Sequence, residues 1–192
     1  MSTQWHVAVL VGSLRKGSYT RMIANELIAV APDSLAFEMA EIGNLPLYNQ
    51  DLDDEKTPPA EWLAFRDRIR PMDAVLFATP EYNRSVPGVL KNALDVGSRP
   101  YGQNVWDKKP AAVVSVSPGA IGGFGANHHL RQSLVFVNMP VLQQPEAYIS
   151  NVAKLLDANG KLTSDTTRQF MRTIVDAFAA WVERNAPSPA HA

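Results

Sequence analysis

The sequence predicts an α/β fold, a parallel sheet with helices wound on both faces, and three observations carry that prediction. Short unbroken apolar runs alternate with longer segments of helical periodicity. The runs are rich in β-branched residues. The turns that follow them gather glycine, proline and hydroxyl side chains. Unbroken apolar runs suit strands covered on both faces, because neither direction of their side chains meets water.

The elements follow in chain order. Val7-Ala-Val-Leu-Val11, ending at Gly12, reads as the first strand. Ile23, Leu27, Val30 and Ala31 then recur at helical spacing, and Pro32 ends that helix. Ala36 to Ile42 alternates apolar and polar residues, as at a sheet edge with one face in water. Leu45 to Thr57 reads as loop. Pro58-Pro59 opens a helix whose apolar stripe is Trp62, Phe65, Ile69 and Met72. Ala74 to Thr79 is the next buried strand, followed by the loop Pro80 to Val86. A helix starts near Pro87 and carries Val89, Leu90, Ala93, Leu94 and Gly97. Ala111 to Ser117 is a fourth strand, and its loop holds Gly119, Gly122, Gly123 and Gly125. A helix around Leu130 to Val137 leads to a short strand beginning near Val141, and Asn159-Gly160 marks a turn. The last helix, about Thr166 to Arg184, sets Phe170, Ile174, Phe178, Trp181 and Val182 on one side. Five strands alternating with five helices give a single domain over residues 1–185 with right-handed crossovers. Residues 186–192, with two prolines, read as a disordered tail.

Composition narrows the function. Eighteen basic and nineteen acidic side chains leave a net charge of −1, without the basic excess of a nucleic-acid binder. The same balance disfavours a one-electron shuttle, which usually docks through a strongly acidic surface. The absence of cysteine excludes disulfides, thiolate nucleophiles, iron–sulfur clusters and cysteine zinc sites. No apolar run is long enough to cross a bilayer and the first residues do not resemble a signal peptide, so a cytoplasmic protein without a membrane partner is expected. Glu41, Asp51, Asp53, Asp54 and Glu55 read as a solvated surface, and Trp62 and the Trp106 region as apolar surface sites suited to association. His128 and His129 are adjacent, so on a helix they point about 100° apart, and no metal site is expected there.

In open parallel sheets ligands bind beyond the carboxyl ends of the strands, where the strand order reverses. The first such loop, Gly12-Ser-Leu-Arg-Lys-Gly-Ser-Tyr-Thr20, brings Ser13, Ser18 and Thr20 together with Arg15, Lys16 and a helix N-terminus. Free backbone N–H groups, the helix dipole and a bidentate arginine favour an anion there. Ser18 acting only as a helix cap is the plainer alternative. Gly12 and Gly17 have P-loop spacing, but Ser18 and Tyr19 stand where lysine and Ser/Thr are needed. The dinucleotide fingerprint is absent too, since Leu14 replaces its second glycine. A terminal phosphate monoester remains, and FMN presents one. The second loop, Thr79 to Gly88, offers Pro80, Glu81, Tyr82 and Asn83, stiffened by Pro80 and Pro87, with an ordinary strand-to-helix loop capped by Ser85 as the alternative. In the third loop Ser117 and Gly119 can approach a ring closely, or the glycines simply confer flexibility.

These stretches together resemble the NAD(P)H-dependent FMN reductase family, in its quinone and chromate reductase branch. The resemblance rests on Gly12 to Ser18, Pro80 to Asn83, Ser85 to Gly88, Leu90 to Asp95, Gly122-Gly123 and His129 to Gln132, in the expected order. It implies a flavodoxin-like sheet with strand order 2-1-3-4-5. It implies an FMN site made by Ser13, Leu14, Arg15, Lys16, Gly17, Ser18, Tyr19 and Thr20 around the phosphate, with Pro80, Glu81, Tyr82, Asn83, Ser117 and Gly119 along the ring. It also implies a homodimer or homotetramer with flavin sites near subunit contacts. NADPH or NADH would deliver hydride to the flavin, and a small quinone-like acceptor would remove two electrons in a ping-pong sequence, with no catalytic side chain. A flavodoxin-like electron carrier and a non-enzymatic flavin-binding module are the rival readings.

Overall fold

The computed structural model describes residues 4–187. Five strands, β1 (Trp5–Val11), β2 (Leu35–Ala40), β3 (Ala74–Pro80), β4 (Ala111–Val116) and β5 (Ala147–Ile149), form one parallel sheet in the order β2-β1-β3-β4-β5. Strand side chains alternate between faces, and both faces are apolar here, so two cores result. On one face Val7, Val9, Val11, Leu76, Val114 and Val116 pack beneath α1 (Tyr19–Ala29) and α6 (Asp165–Asn185). On the other face Ala8, Leu10, Val75, Phe77 and Val113 pack beneath α3 (Ala60–Ile69), α4 (Gly88–Gly97) and α5 (Phe124–Phe136). Among the described residues no helix is long and apolar enough to cross a membrane.

Several boundaries differ from the sequence reading, each for a physical reason. The fifth strand begins at Ala147. Val141 makes only an isolated parallel bridge to Ala111, and Pro145, which has no N–H to donate, lies between the two pairings. A short helix, α2 (Gln50–Asp54), occupies the stretch read as loop, capped by Asn49, whose side chain accepts from Asp51 N. Five residues are too few to show a helical period. Helix α5 begins at Phe124, several residues early, because Gly122 and Gly123 (φ +61° and +75°) make the turn into it. In α6 Met171 takes the buried place expected of Phe170, which is 38% exposed. Trp62 and Trp106 are fully buried and not surface sites, each donating its indole N–H to a backbone carbonyl (Pro46 and Leu94). The Asp53 side chain is also buried, paired with Arg66, and does not belong to a solvated acidic surface. Of the expected tail, residues 188–192 lie outside the described residues.

Candidate active site

The strand order sets the carboxyl ends of β1, β3 and β4 side by side. Gly12 N donates to Ala78 O at 2.8 Å, Thr79 pairs with Ser115, and Ser117 N donates to Ile149 O at 2.9 Å. The three loops singled out by sequence therefore meet at the point where strand order reverses. A cavity of about 420 Å³ opens between the first two loops, lined by Gly12, Leu14, Arg15, Tyr82 and Pro87 to Val89. A larger one of about 820 Å³ is a groove between α4 and α5 and includes Leu94, His129 and Val135 to Val137. The site chemistry belongs to the strand ends, because the convergent donors are there.

In the first loop Ser18 caps α1, its Oγ accepting from Arg21 N at 3.1 Å. The plain reading of Ser18 thus holds, yet it does not exhaust the loop. Ser13 and Thr20 are 4% and 3% exposed, and among the described residues no hydrogen bond reaches their hydroxyls. Leu14, Arg15, Lys16 and Gly17 are exposed, and neither cation has an ion-pair partner among the described residues. Tyr19, the first residue of α1, is half-buried against the core. Two hydroxyls on nearly buried residues, their oxygens still reachable from outside, two cations without ion-pair partners among the described residues and the N–H groups of a first helical turn converge on one place. Gly12 lets this loop lie close over α4, since a Cβ there would come within 3.2 Å of Leu90 and Pro80.

The second loop is a tight turn. Tyr82 and Ser85 exchange backbone hydrogen bonds (3.1 and 3.0 Å), and Asn83 and Arg84 between them are left-handed (φ +52° and +63°). This is the two-residue turn that demands positive φ twice, a role asparagine tolerates and arginine resists. The strain is held by contacts to α5. Glu81 accepts from Ala126 N at 3.0 Å through Oε2 and from Arg84 Nη1 at 2.9 Å through Oε1. Gly123, the N-cap of α5, has no side chain, so Glu81 supplies the missing cap from another loop. Ser85 Oγ lies 3.0 Å from His129 Nδ1. It does not cap α4, whose N-cap is Pro87. Tyr82 remains 44% exposed at the cleft, and the carboxylate of Glu81 is committed to α5.

In the third loop Ser117 Oγ accepts from Gly119 N at 3.0 Å, and Val152 N donates to Ser117 O. Beneath the loop lies a buried polar chain that the sequence reading missed. Asn127 Nδ2 donates to Ser115 Oγ at 3.2 Å, and Arg131 Nε donates to Asn127 Oδ1 at 2.8 Å. The available signal was Asn127 and Arg131 at i, i+4 beside the buried Leu130 and Leu134. Asn92 was likewise missed as a residue that shapes the site. Its Oδ1 accepts from Tyr48 N and its Nδ2 donates to Leu45 O and Pro46 O, which fixes the chain after β2 as a wall beside the first loop. Leu14 rests on that wall at Gly43, where a Cβ would approach Leu14 to 2.9 Å. His128 stacks on Tyr148, with Nε2 2.9 Å from the phenol oxygen. Burial, then the hydrogen bond with Glu146, pushes the Tyr148 phenol up to about 12. Among the described residues no three potential ligands gather at a metal site.

Known proteins share the sequence and the fold of this chain. The family described as NADPH-dependent FMN reductase matches residues 5–154. A quinone reductase of Pseudomonas putida is 63% identical over 185 residues, covering 96% of this chain and 98% of that protein. A 2-hydroxy-1,4-benzoquinone reductase of a Burkholderia species is 46% identical over 92% of this chain and 95% of its own length. Among solved structures, the flavoenzyme NAD(P)H:(acceptor) oxidoreductase FerB of Paracoccus denitrificans superposes with a TM-score of 0.89. It is 45% identical, covering 95% of this chain and all of that one.

Proposed function

Because the chain belongs to the NADPH-dependent FMN reductase family, we propose that the cleft at the strand ends holds FMN and that the protein reduces quinones with electrons from NADPH or NADH. The observation that carries this reading is the pair of reachable hydroxyls on the nearly buried Ser13 and Thr20, without protein partners among the described residues, beside Arg15 and Lys16 at the start of α1. That donor set fits a doubly charged phosphate monoester, with hydroxyl, guanidinium and backbone N–H groups each taking an oxygen. Ser13, Arg15, Ser18 and Thr20 hold the phosphate, and Leu14, Lys16, Gly17 and Tyr19 complete the loop. Pro80, Tyr82 and Asn83 border the ring, with Ser117 and Gly119 from the third loop. Glu81 takes part through its backbone, its carboxylate being engaged by Ala126 N and Arg84.

When bound, FMN supplies the redox chemistry, taking hydride from the nicotinamide and passing two electrons to the quinone. The protein's work is positional. The stiff turn at Asn83-Arg84 would hold its backbone N–H groups in place to donate to a bound flavin. The exposed Tyr82 leaves one flat apolar surface for both substrates in turn, so a ping-pong pattern is the expected kinetics. The likeness to the quinone reductase of P. putida and the 2-hydroxy-1,4-benzoquinone reductase of Burkholderia supports the quinone class. The chain acts as a homodimer through the α4–α5 groove. Val135 and Phe136 are 71% and 89% exposed there, and the Lys91–Asp95 pair and Arg99 put both charge signs on one face, as a self-complementary contact requires.

The visible spectrum of the purified protein, before and after anaerobic NADPH, tests the reading. A yellow protein that releases FMN on denaturation and bleaches with NADPH, then regains colour with a quinone, is the expected result. A yellow protein that neither NADPH nor NADH reduces would be an electron carrier. A colourless protein that FMN cannot reconstitute would remove the flavin reading altogether.

A further inference from the structure

Residues 155–163 form a small hairpin just beyond the 5–154 span that matches the family. Leu156 and Leu162 pair as an antiparallel bridge, and Thr163 N donates to Leu155 O at 3.0 Å. Asp157 closes the turn, its Oδ1 accepting from Asn159 N at 2.8 Å and Lys161 N at 2.9 Å. Gly160, at φ +76°, sits against α1, where a Cβ would lie 3.0 Å from Met22 Cγ. Beside that contact Lys161 Nζ donates to Glu26 Oε1 at 2.9 Å, and Leu162 N donates to Glu26 Oε2 at 3.4 Å. Arg168 of α6 reaches the same Oε2 at 3.5 Å.

The Glu26 side chain is 2% exposed, whereas those of Lys161 and Arg168 are 65% and 44% exposed. Neither helix formation nor core packing asks for a carboxylate there, since leucine would satisfy both without a desolvation cost. Its partners all come from the hairpin and α6, so holding those segments is what the carboxylate does. Tyr19, Met22 and Glu26 stand at i, i+3 and i+7 and share one face of α1. The hairpin therefore meets this face at Met22, about one turn in from the N-terminus that completes the first loop, and is tied down at Glu26, one turn further on.

We propose that this hairpin braces the phosphate end of α1, and that Glu26 is the positioning residue that holds it there. The inference rests on the FMN reading above. It makes FMN affinity depend on a contact outside the cleft. A helix terminus binds an anion best when its N–H groups are fixed before the ligand arrives, because ordering them on binding subtracts from affinity. The hairpin touches no reacting atom, so turnover with FMN in place is independent of it. A second tie between α6 and α1 supplies a control. Arg172 Nη1 donates to Val30 O at 2.7 Å, at the far end of α1 from the first loop.

The test is FMN release from the holoenzyme on dilution, followed by the rise of flavin fluorescence, with a thermal melt of each variant. Glu26→Leu is expected to raise the Kd for FMN about tenfold, a change of about 1.4 kcal/mol. Lys161→Gln should act in the same direction and less, while kcat at saturating FMN and the bound flavin spectrum stay as in the wild type. Arg172→Gln should lower Tm and leave the Kd unchanged. A folded Glu26→Leu that holds FMN as tightly as the wild type overturns the brace. So does an Arg172→Gln that weakens FMN equally, because any loosening of α1 would then suffice. Should Glu26→Leu not fold, Lys161→Gln and Gly160→Ala carry the test, and unchanged FMN affinity in both overturns it. A wild-type chain that binds no FMN would overturn the flavin reading instead, a distinguishable result.

Discussion

Arg15 stands exposed in the first loop, beside the nearly buried residues Ser13 and Thr20. A guanidinium there contributes a charge-assisted, bidentate contact, of the kind worth about 1.5–3 kcal/mol. Arg15→Ala should therefore raise the FMN Kd by about tenfold to a hundredfold, while kcat at saturating FMN stays close to wild type. Equilibrium dialysis of the variant against FMN checks this, and full retention of flavin would show that Arg15 does not hold the phosphate. This part of the site was legible in the sequence because hydroxyls, cations and a helix start fall within nine consecutive residues after a strand. Glu81 was legible only by its loop. The direction of its side chain depends on Ala126, 45 residues away, and a cap supplied across that separation leaves no local pattern. Asn92 and Asn127 escaped for the same reason, since each satisfies backbone or side-chain groups brought near only by folding.

At the scale of elements, the long strands and helices were readable because each carries a strong period or an unbroken apolar run. Two kinds of element were not. The three-residue β5 pairs only through Ala147, Tyr148 and Ile149, too short to outweigh the apolar Val141 upstream. Helix α2 lies in a run of acids that reads as solvated, and what fixes it is tertiary. Arg66 of α3 makes a bidentate pair with Asp53 of α2 (2.9 and 2.7 Å) and donates from Nε to Val96 O of α4 at 2.9 Å. Both side chains are nearly fully buried, at 4% and 3% exposure. Breaking such a pair from one side leaves a buried charge uncompensated, whereas replacing both members by apolar residues is far milder. Arg66→Met is thus expected to lose about 3–5 kcal/mol, and Asp53→Leu with Arg66→Met should recover most of it. Urea melts of the single and double variants measure the difference. A double variant as unstable as Arg66→Met would mean that packing around the guanidinium, and not its charge, joins the three helices.

For the whole molecule the consequence of the fold is that one pair of helices serves two surfaces. The first turns of α4 and α5 hold the cleft loops, through Gly12 packed on Leu90 and Glu81 bonded to Ala126 N. Further along, the same two helices wall the groove that carries Phe136. His129 belongs to both, lining the groove while its Nδ1 meets Ser85 of the second loop. Association through the groove would cover His129 and restrict the second loop, to which it is joined through Ser85, so on the proposed FMN site assembly and flavin retention should be linked. Phe136→Glu places a charge where an apolar ring would be buried between copies, and burying it unpaired is strongly unfavourable. If the groove joins two copies, the variant should sediment at the 21.1 kDa of one chain and the wild type at twice that mass. It should also lose FMN faster on dilution, although Phe136 sits at the opposite end of α5 from the cleft loops. A monomeric variant that keeps wild-type FMN release would separate the two surfaces, and a wild type that sediments as a single chain would remove the groove as a subunit contact.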